Sequence, residues 1–349
     1  MAPAPVALAV AGAGRIGRRH VELINANPGA TLAAVVDPDP AARDLARSLG
    51  VPWHGDLDGL LAGPPARPRP EGVILATPNP LHLEHGLACA AAGVPALVEK
   101  PIATDTAAAR RLVEAFAAAG LPLLVGHHRR HNPLIMAAKA CLVRGDLGTL
   151  TTVHAMAWLP KPDSYFDADW RRRPGAGPVL VNLIHDIDLL RHLCGEVVWL
   201  QAVESSARRG FAVEDTAALV LRFAGGVVGT VSLSDTVVGP WSWELTAGEN
   251  PDYPKTDATC YWIGGTHGSL ELPNGRLWRG VGPRDWFSPL TCDLLDVAPQ
   301  DPLVRQLDHF CRVVRGQEAP LVSGEEGLRT LRVIEAAKQS ARTGAPVTV

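Results

Sequence analysis

Val6-Ala-Leu-Ala-Val-Ala11, followed without a break by Gly12-Ala-Gly14-Arg15-Ile16-Gly17, is the stretch whose reading decides the fold. The apolar run has the continuous hydrophobicity of a strand buried on both faces, as in a parallel sheet. The glycines then form a G-x-G-x-x-G turn, and Arg15 to Asn27 reads as a helix packed through Ile16, Leu23 and Ile24. A second run, Thr31 to Val36, ends in Asp37, about twenty positions beyond Gly17. In such a unit the first glycine permits the tight turn, and the second lets backbone approach a pyrophosphate. The third allows close contact between strand and helix. The helix N-terminus offers N–H groups and a positive dipole end to phosphates. An acid at Asp37 accepts hydrogen bonds from the adenosine ribose hydroxyls and repels a 2′-phosphate. The expected cofactor is therefore NAD in preference to NADP.

Outward from this unit, strands and helices keep alternating. Pro40 to Leu49 reads as a helix, Val51 to His54 as a short third strand, and Gly63 to Pro70 as a proline-rich loop. Gly72 to Thr77, Ala96 to Glu99 and Leu121 to Gly126 read as further strands, with helices over His82 to Ala92 and Asp105 to Ala119 between them. Repeated βα units imply a doubly wound parallel sheet that binds ligands outside the carboxyl ends of its strands. Thr77-Pro-Asn79-Pro and Glu99-Lys100-Pro101 both fall at such ends, where proline stops the strand. Lys100 thereby puts an amine beside the expected dinucleotide.

The chain has 349 residues, 47% of them apolar and 20% charged, with a net charge of −3. That length suggests two domains, and the charge gives no reason to expect nucleic acid as a partner. Six scattered cysteines without a CxxC pair read as reduced thiols of a cytoplasmic protein. The apolar N-terminus lacks a basic n-region and runs into the glycine turn, so it reads as a strand and not as a signal peptide. No apolar stretch approaches the roughly 20 residues that a membrane span requires.

Beyond residue 150 the pattern changes to period two. Thr151 to Trp158, Val197 to Glu204, Thr216 to Phe223, Val227 to Ser234 and Ser242 to Ala247 read as strands of a mainly antiparallel sheet. A helix over Val179 to Leu193 interrupts them. The long aromatic stretch Trp158 to Pro178 holds Tyr165, Phe166, Trp170 and Arg171-Arg172-Arg173, and a loop of that length is usually functional. Arg172 and Arg173 read as a solvated turn.

These residues resemble the Gfo/Idh/MocA family of nicotinamide-dependent oxidoreductases, named for glucose–fructose oxidoreductase and inositol dehydrogenase. The likeness covers nearly the whole chain. It is carried by the glycine turn, Asp37, Thr77-Pro-Asn79-Pro-Leu-His82, Glu99-Lys100-Pro101 and Gly126-His-His-Arg-Arg130-His-Asn-Pro133. Trp170-Arg171, His185-Asp186-Ile-Asp188, Glu214-Asp215-Thr216 and Ser323-Gly-Glu-Glu-Gly-Leu328 complete it. The resemblance implies a Rossmann domain over residues 1–126 and an α+β domain over 127–349. The open sheet of the second domain would form a homodimer or homotetramer, and a helix near 324–342 would return to the first. It further implies cofactor contacts from Gly12, Gly14, Arg15, Ile16, Gly17, Asp37, Thr77, Asn79, His82, Glu99 and Lys100. Arg130, Tyr165, Trp170, Arg171, Asn182 and His185 would meet a small-molecule substrate. By the same resemblance Lys100 and His185 would be the catalytic pair.

One departure stands out. Sugar-oxidising relatives commonly carry an aspartate four residues before the histidine, where this chain has Val181 followed by Asn182. An aspartate one helical turn away can orient an imidazole and raise its basicity; valine cannot. Asn182 or Asp188 could take part of that role.

The mechanism expected is hydride transfer between a secondary alcohol or ketone and the nicotinamide, the substrate being a sugar, polyol or related cyclic compound. Lys100 would bond the substrate oxygen and His185 would exchange its proton. Against this stand an ion pair of Lys100 with Glu99 and a purely structural His185. A zinc reading of His82/His85 and His127/His128/His131 lacks a Cys or acid at ligand spacing, so no metal is expected. Tyr165 lacks the Tyr-x-x-x-Lys spacing of a short-chain dehydrogenase. Two other functional classes fit the same fold: an NAD-retaining glycoside hydrolase and a non-catalytic regulator. Regulators tend to lose the lysine that this chain keeps.

Overall fold

The computed structural model describes residues 4–62 and 69–349. Most of the proline-rich loop expected at Gly63 to Pro70 lies outside the described residues. The chain divides into two compact units, the first comprising residues 1–128 and 302–331 and the second 129–301 and 332–349.

The first unit opens with β1 (Val6–Ala11), α1 (Arg15–Ala26), β2 (Ala30–Val36), α2 (Pro40–Leu49), β3 (Trp53–His54) and α3 (Leu57–Leu61). It continues with β4 (Gly72–Leu75), α4 (His82–Ala91), β5 (Ala96–Val98), α5 (Thr106–Ala118) and β6 (Leu123–Val125). The six strands pair in the order β3-β2-β1-β4-β5-β6, all parallel. The order reverses between β1 and β4, the switch point at which doubly wound sheets bind ligands. Asp39 and Asp105 cap α2 and α5 by accepting from Ala41 N–H and Ala108 N–H, which explains the sharp helix starts. Leu8, Val10, Ile24, Val35, Ile74, Leu97 and Leu124 form a buried core.

The second unit begins with α6 (Pro133–Val143) and β7 (Leu150–Trp158), then α7 (Pro178–Val181), α8 (Leu183–Cys194), β8 (Val197–Ser205), β9 (Thr216–Phe223) and β10 (Val228–Ser234). There follow α9 (Trp243–Thr246), β11 (Tyr261–Gly265), β12 (Gly268–Leu272), β13 (Arg276–Gly280) and β14 (Leu290–Leu294). After it come α10 (Pro302–Val314), which adds Leu307 and Phe310 to the first unit's core, α11 (Gly324–Thr343) and β15 (Val347–Thr348). The nine-stranded sheet runs β14-β13-β12-β11-β7-β10-β9-β8-β15. It is mixed but mostly antiparallel, since only β10 and β7 pair in parallel. One face is buried through Leu219, Leu221, Phe223 and Val231, while Val203, Val220 and Val228 point outward.

Two expectations are corrected here. Ser242 to Ala247 is not a strand: Ser242 caps a helical turn, and Thr246 Oγ1 donates to the Ser242 carbonyl at 2.7 Å. Trp243 and Thr246, three apart, are the buried residues, so the period is helical. The helix expected over Val179 to Leu193 is also broken. It starts at Pro178, stops at Val181 and resumes at Leu183, with Asn182 at φ −112° between the pieces. Strands β11 to β14 had no expectation, because their short, Gly-punctuated segments show weak alternation. All six cysteines are free, five of them buried, and burial pushes the Cys89 thiol up to about 12. No helix among the described residues is long and apolar enough to cross a membrane.

Candidate active site

In the first unit the glycine turn is dictated by space. Gly12 sits at φ +91°, and a Cβ there would collide with the Ala76 backbone. A Cβ on Gly17 would overlap the Gly12 carbonyl. At Gly14 an added Cβ meets nothing within 4 Å, so the turn is open on that side. The turn leads directly into α1, which has no side-chain cap and no acid in its first turn; that combination suits an anion. Arg15 is exposed and Ile16 half-buried at this opening. Asp37 closes the other side: its Oδ2 accepts from Ala13 N–H at 2.7 Å and its Oδ1 from Asp39 N–H at 2.8 Å. Trp53 Nε1–H donates to the Asp37 carbonyl at 3.0 Å. An open Gly14, a free-standing helix start and a carboxylate fixed at the rim fit a dinucleotide.

The ends of β4 and β5 are tied together by a histidine. His82 places Nδ1 2.8 Å from the Pro101 carbonyl and Nε2 2.9 Å from the Thr77 carbonyl. Burial lowers its pKa against the pull of both carbonyls. Thr77 Oγ1 lies 3.2 Å from His85 Nδ1, and Asn79 starts a single 3-10 turn beyond. A neutral imidazole carries one N–H, so His82 donates to one of these two carbonyls and packs its other nitrogen against the second. Lys100 is half-buried just past β5, with a cis peptide bond to Pro101.

Glu99, expected at the cofactor, reaches α1, where its Oε1 lies 2.7 Å from His20 Nε2. Burial works against the Glu99 charge. The hydrogen bond from His20 and the positive character of His20, His128 and Lys100 outweigh it and hold the carboxyl below its ordinary value. An ionised carboxylate cannot donate, so Nε2 carries the proton.

In the second unit His185 is buried on the first turn of α8, its N–H bonded to the Asn182 carbonyl at 3.1 Å. Because the helix breaks at Asn182, Val181 and His185 do not share one continuous turn. An aspartate at 181 would therefore not stand one regular helical turn from His185. Asn182 Oδ1 is buried without a hydrogen-bond partner and helps line a small cleft with Leu159, Asp186, Asp235 and Glu244. The start of α7 is held by Glu214, whose Oε1 accepts from Val179 N–H at 2.8 Å and whose Oε2 meets Lys338 Nζ at 2.6 Å.

Arg130, expected at the substrate, is bonded to Asp188. Its Nε and Nη2 each lie 2.8 Å from an oxygen of Asp188, with both side chains buried. Asp188 is correspondingly occupied. Next to His185, Asp186 receives Arg129 Nη1 at 3.0 Å and the Tyr261 hydroxyl, and Arg129 Nη2 reaches Glu244 at 2.6 Å. Burial raises the Asp186 carboxyl to about 6 despite Arg129. Sequence reading passed over Arg129, Tyr261 and Glu244, which lie far apart in the chain and carry no spacing signal.

Tyr165, Trp170 and Arg171 are brought together. The Arg171 guanidinium lies 4.2 Å from the Tyr165 ring centroid and 5.3 Å from that of Trp170, and its Nη1 donates to the Tyr165 carbonyl at 2.7 Å. Arg172 and Arg173 pair with Asp169. Lys161, which no motif marked, points its ammonium at the same Tyr165 ring from 5.0 Å.

Comparison with known proteins agrees with this layout. Residues 6–127 match the family model described as oxidoreductase family, NAD-binding Rossmann fold. Residues 135–271 match the GFO/IDH/MocA C-terminal domain, and 296–349 the C-terminal alpha/beta domain of the same oxidoreductase family. The chain is 35% identical over 238 residues to inositol 2-dehydrogenase 2 of Saccharopolyspora erythraea, an alignment covering 65% of this chain and 66% of that protein. It is 28% identical to D-apiose dehydrogenase of Paraburkholderia graminis across 97% of this chain and 88% of the relative. Among solved structures, an oxidoreductase from Agrobacterium radiobacter in complex with NAD+, L-tartaric acid and magnesium superimposes with a TM-score of 0.81 at 25% identity over 98% of each chain. On the strength of these matches and of the two units described above, the chain belongs to the Gfo/Idh/MocA family of oxidoreductases.

Proposed function

We propose that this protein is an NAD-dependent dehydrogenase or reductase acting on a secondary alcohol or its ketone, with a sugar, polyol or related cyclic compound as substrate. The observation that carries the reading is the coincidence, within one unit, of the open glycine turn, the anchored Asp37 and Lys100 at the end of β5. Two relatives are an inositol 2-dehydrogenase and a D-apiose dehydrogenase, which supports a polyhydroxylated substrate.

Gly12, Gly14 and Gly17 with the start of α1 would hold the pyrophosphate, and Asp37 the adenosine ribose, favouring NAD over NADP. When bound, the nicotinamide supplies the hydride-accepting carbon. The protein's own part is position and protons. Lys100 donates a hydrogen bond to the substrate oxygen. His185 takes the hydroxyl proton during oxidation and returns it during reduction. His82 keeps the Lys100 loop in register with Thr77 and Asn79. The outward-facing valines of β8, β9 and β10 support assembly into a homo-oligomer through that face.

The test is Lys100→Met with a panel of sugars, inositols, lactones and hydroxy acids followed at the NADH absorbance band. Wild type should form NADH continuously with at least one of them, which also separates a dehydrogenase from a hydrolase that only cycles its bound NAD. Lys100→Met should retain NAD binding and lose about 100-fold or more in turnover. Near-normal turnover in that variant would move the active site elsewhere.

A further inference from the structure

We infer that Arg171 and Lys161, gathered around Tyr165, form an anion-binding subsite of the second unit that takes a carboxylate of the substrate. This deepens the dehydrogenase reading and rests on it: the substrate class would be a hydroxy acid and not a neutral polyol.

The first observation is that Arg171 is fixed without an acid. Its guanidinium lies against Tyr165 and Trp170, and one nitrogen is spent on the Tyr165 carbonyl. Its Nε is buried with no hydrogen-bond partner, and no carboxylate lies within salt-bridge distance among the described residues. The two arginines that follow it both pair with Asp169. A planar, immobilised guanidinium with donors to spare is the fitting receptor for a carboxylate.

The second observation is independent. The Lys161 side chain is only 9% exposed, and its ammonium stands 3.5 Å from Asp235 Oδ2. At that length the contact is at best a weak hydrogen bond, and a buried group with three donors is left under-satisfied. Asp235 is already bound by Arg209 Nε at 3.0 Å. Burial accordingly lowers the Lys161 pKa in spite of Asp235.

Shape and charge then select the ligand. Asp235 and Asp215 are buried beside these cations, and Asp215 is occupied by the N–H groups of Arg208 and Arg209. Asp163 meets Arg209 Nη1 at 3.3 Å, and Glu214 also acts on Lys161. A planar monoanion matches the guanidinium fork of Arg171, whereas a phosphate dianion would add a second negative charge beside Asp235. Asp235 also lines the cleft that holds the unpartnered Asn182 Oδ1, which puts polar groups for hydroxyls next to the cations.

The experiment uses the full chain with saturating NAD and reads Trp fluorescence, Trp170 being an exposed reporter beside Arg171. D-gluconate and D-glucuronate are titrated against D-glucitol and D-glucose, and inorganic phosphate is a separate arm. The acids should quench and saturate at least tenfold more tightly than their neutral counterparts and than phosphate. Arg171→Met and Lys161→Met should each weaken the acids by about 10- to 100-fold, and Lys161→Met should leave neutral ligands and NAD unaffected. Arg171→Lys should restore part of the loss. In turnover, Lys161→Met should raise KM for an acid substrate and leave kcat nearly unchanged. Equal binding of acids and neutral sugars, or variants that lose nothing selective for acids, would overturn the subsite. Tighter binding of phosphate would overturn the choice of carboxylate. Selective acid binding without any NADH formation would keep the subsite and overturn the dehydrogenase reading.

Discussion

Replacing Asp188 by alanine removes a carboxylate bonded to both Arg130 Nε and Arg130 Nη2, each at 2.8 Å. The two side chains are 3% and 1% exposed, so water cannot take over when the acid is lost. Breaking one partner of a buried ion pair leaves an uncompensated charge and costs about 3–5 kcal/mol. For a unit of this size each kcal/mol lowers Tm by roughly 2–4 °C. Asp188→Ala should therefore melt roughly 6–20 °C below wild type in circular dichroism. The double variant Arg130→Met/Asp188→Leu removes both charges and keeps the volume filled, and it should recover most of that loss. An Asp188→Ala Tm within about 2 °C of wild type would refute the reasoning. So would Arg130→Met with normal Tm and a raised KM, since Arg130 would then be a substrate ligand and not the anchor of α8.

Two further outcomes bear on the site. His185→Asn should abolish the acid-side fall of the oxidation rate, because an imidazole that protonates as pH drops can no longer accept the hydroxyl proton; a pH–rate profile identical to wild type would make His185 a positioning group only. Asp37→Ser should raise NADP use relative to NAD by about tenfold or more, a change of about 1.4 kcal/mol, measured as the ratio of kcat/KM values; equal efficiency with both coenzymes in wild type would remove the role given to Asp37.

Local order along the chain was enough to determine the first unit. An apolar strand, three glycines at fixed spacing, a helix and an acid are neighbours in sequence. Their geometry follows from steric limits that act over a few residues, as the crowding around Gly12 and Gly17 shows. The strand-end positions of Thr77 and Lys100 were legible for the same reason, since proline ends a strand wherever it falls. Tertiary structure alone decided the partners. Glu99 turned to His20, Arg130 to Asp188, and Asp186 to Arg129 and Tyr261, pairs separated by 57 to 79 positions. No periodicity encodes them, because a buried charge is satisfied by whatever opposite group the packing delivers. The break at Asn182 and the helical turn at Trp243 belong to the same category. Each is a local backbone choice settled by distant contacts: Glu214 holds the start of α7, and Arg129 draws Glu244 of α9 to itself. Lys161 and Arg171 differ from these: they meet at a tyrosine ring only four and six positions away, so that cluster is local to one loop, and what the tertiary structure decided was the irregular turn that aims both cations at the ring.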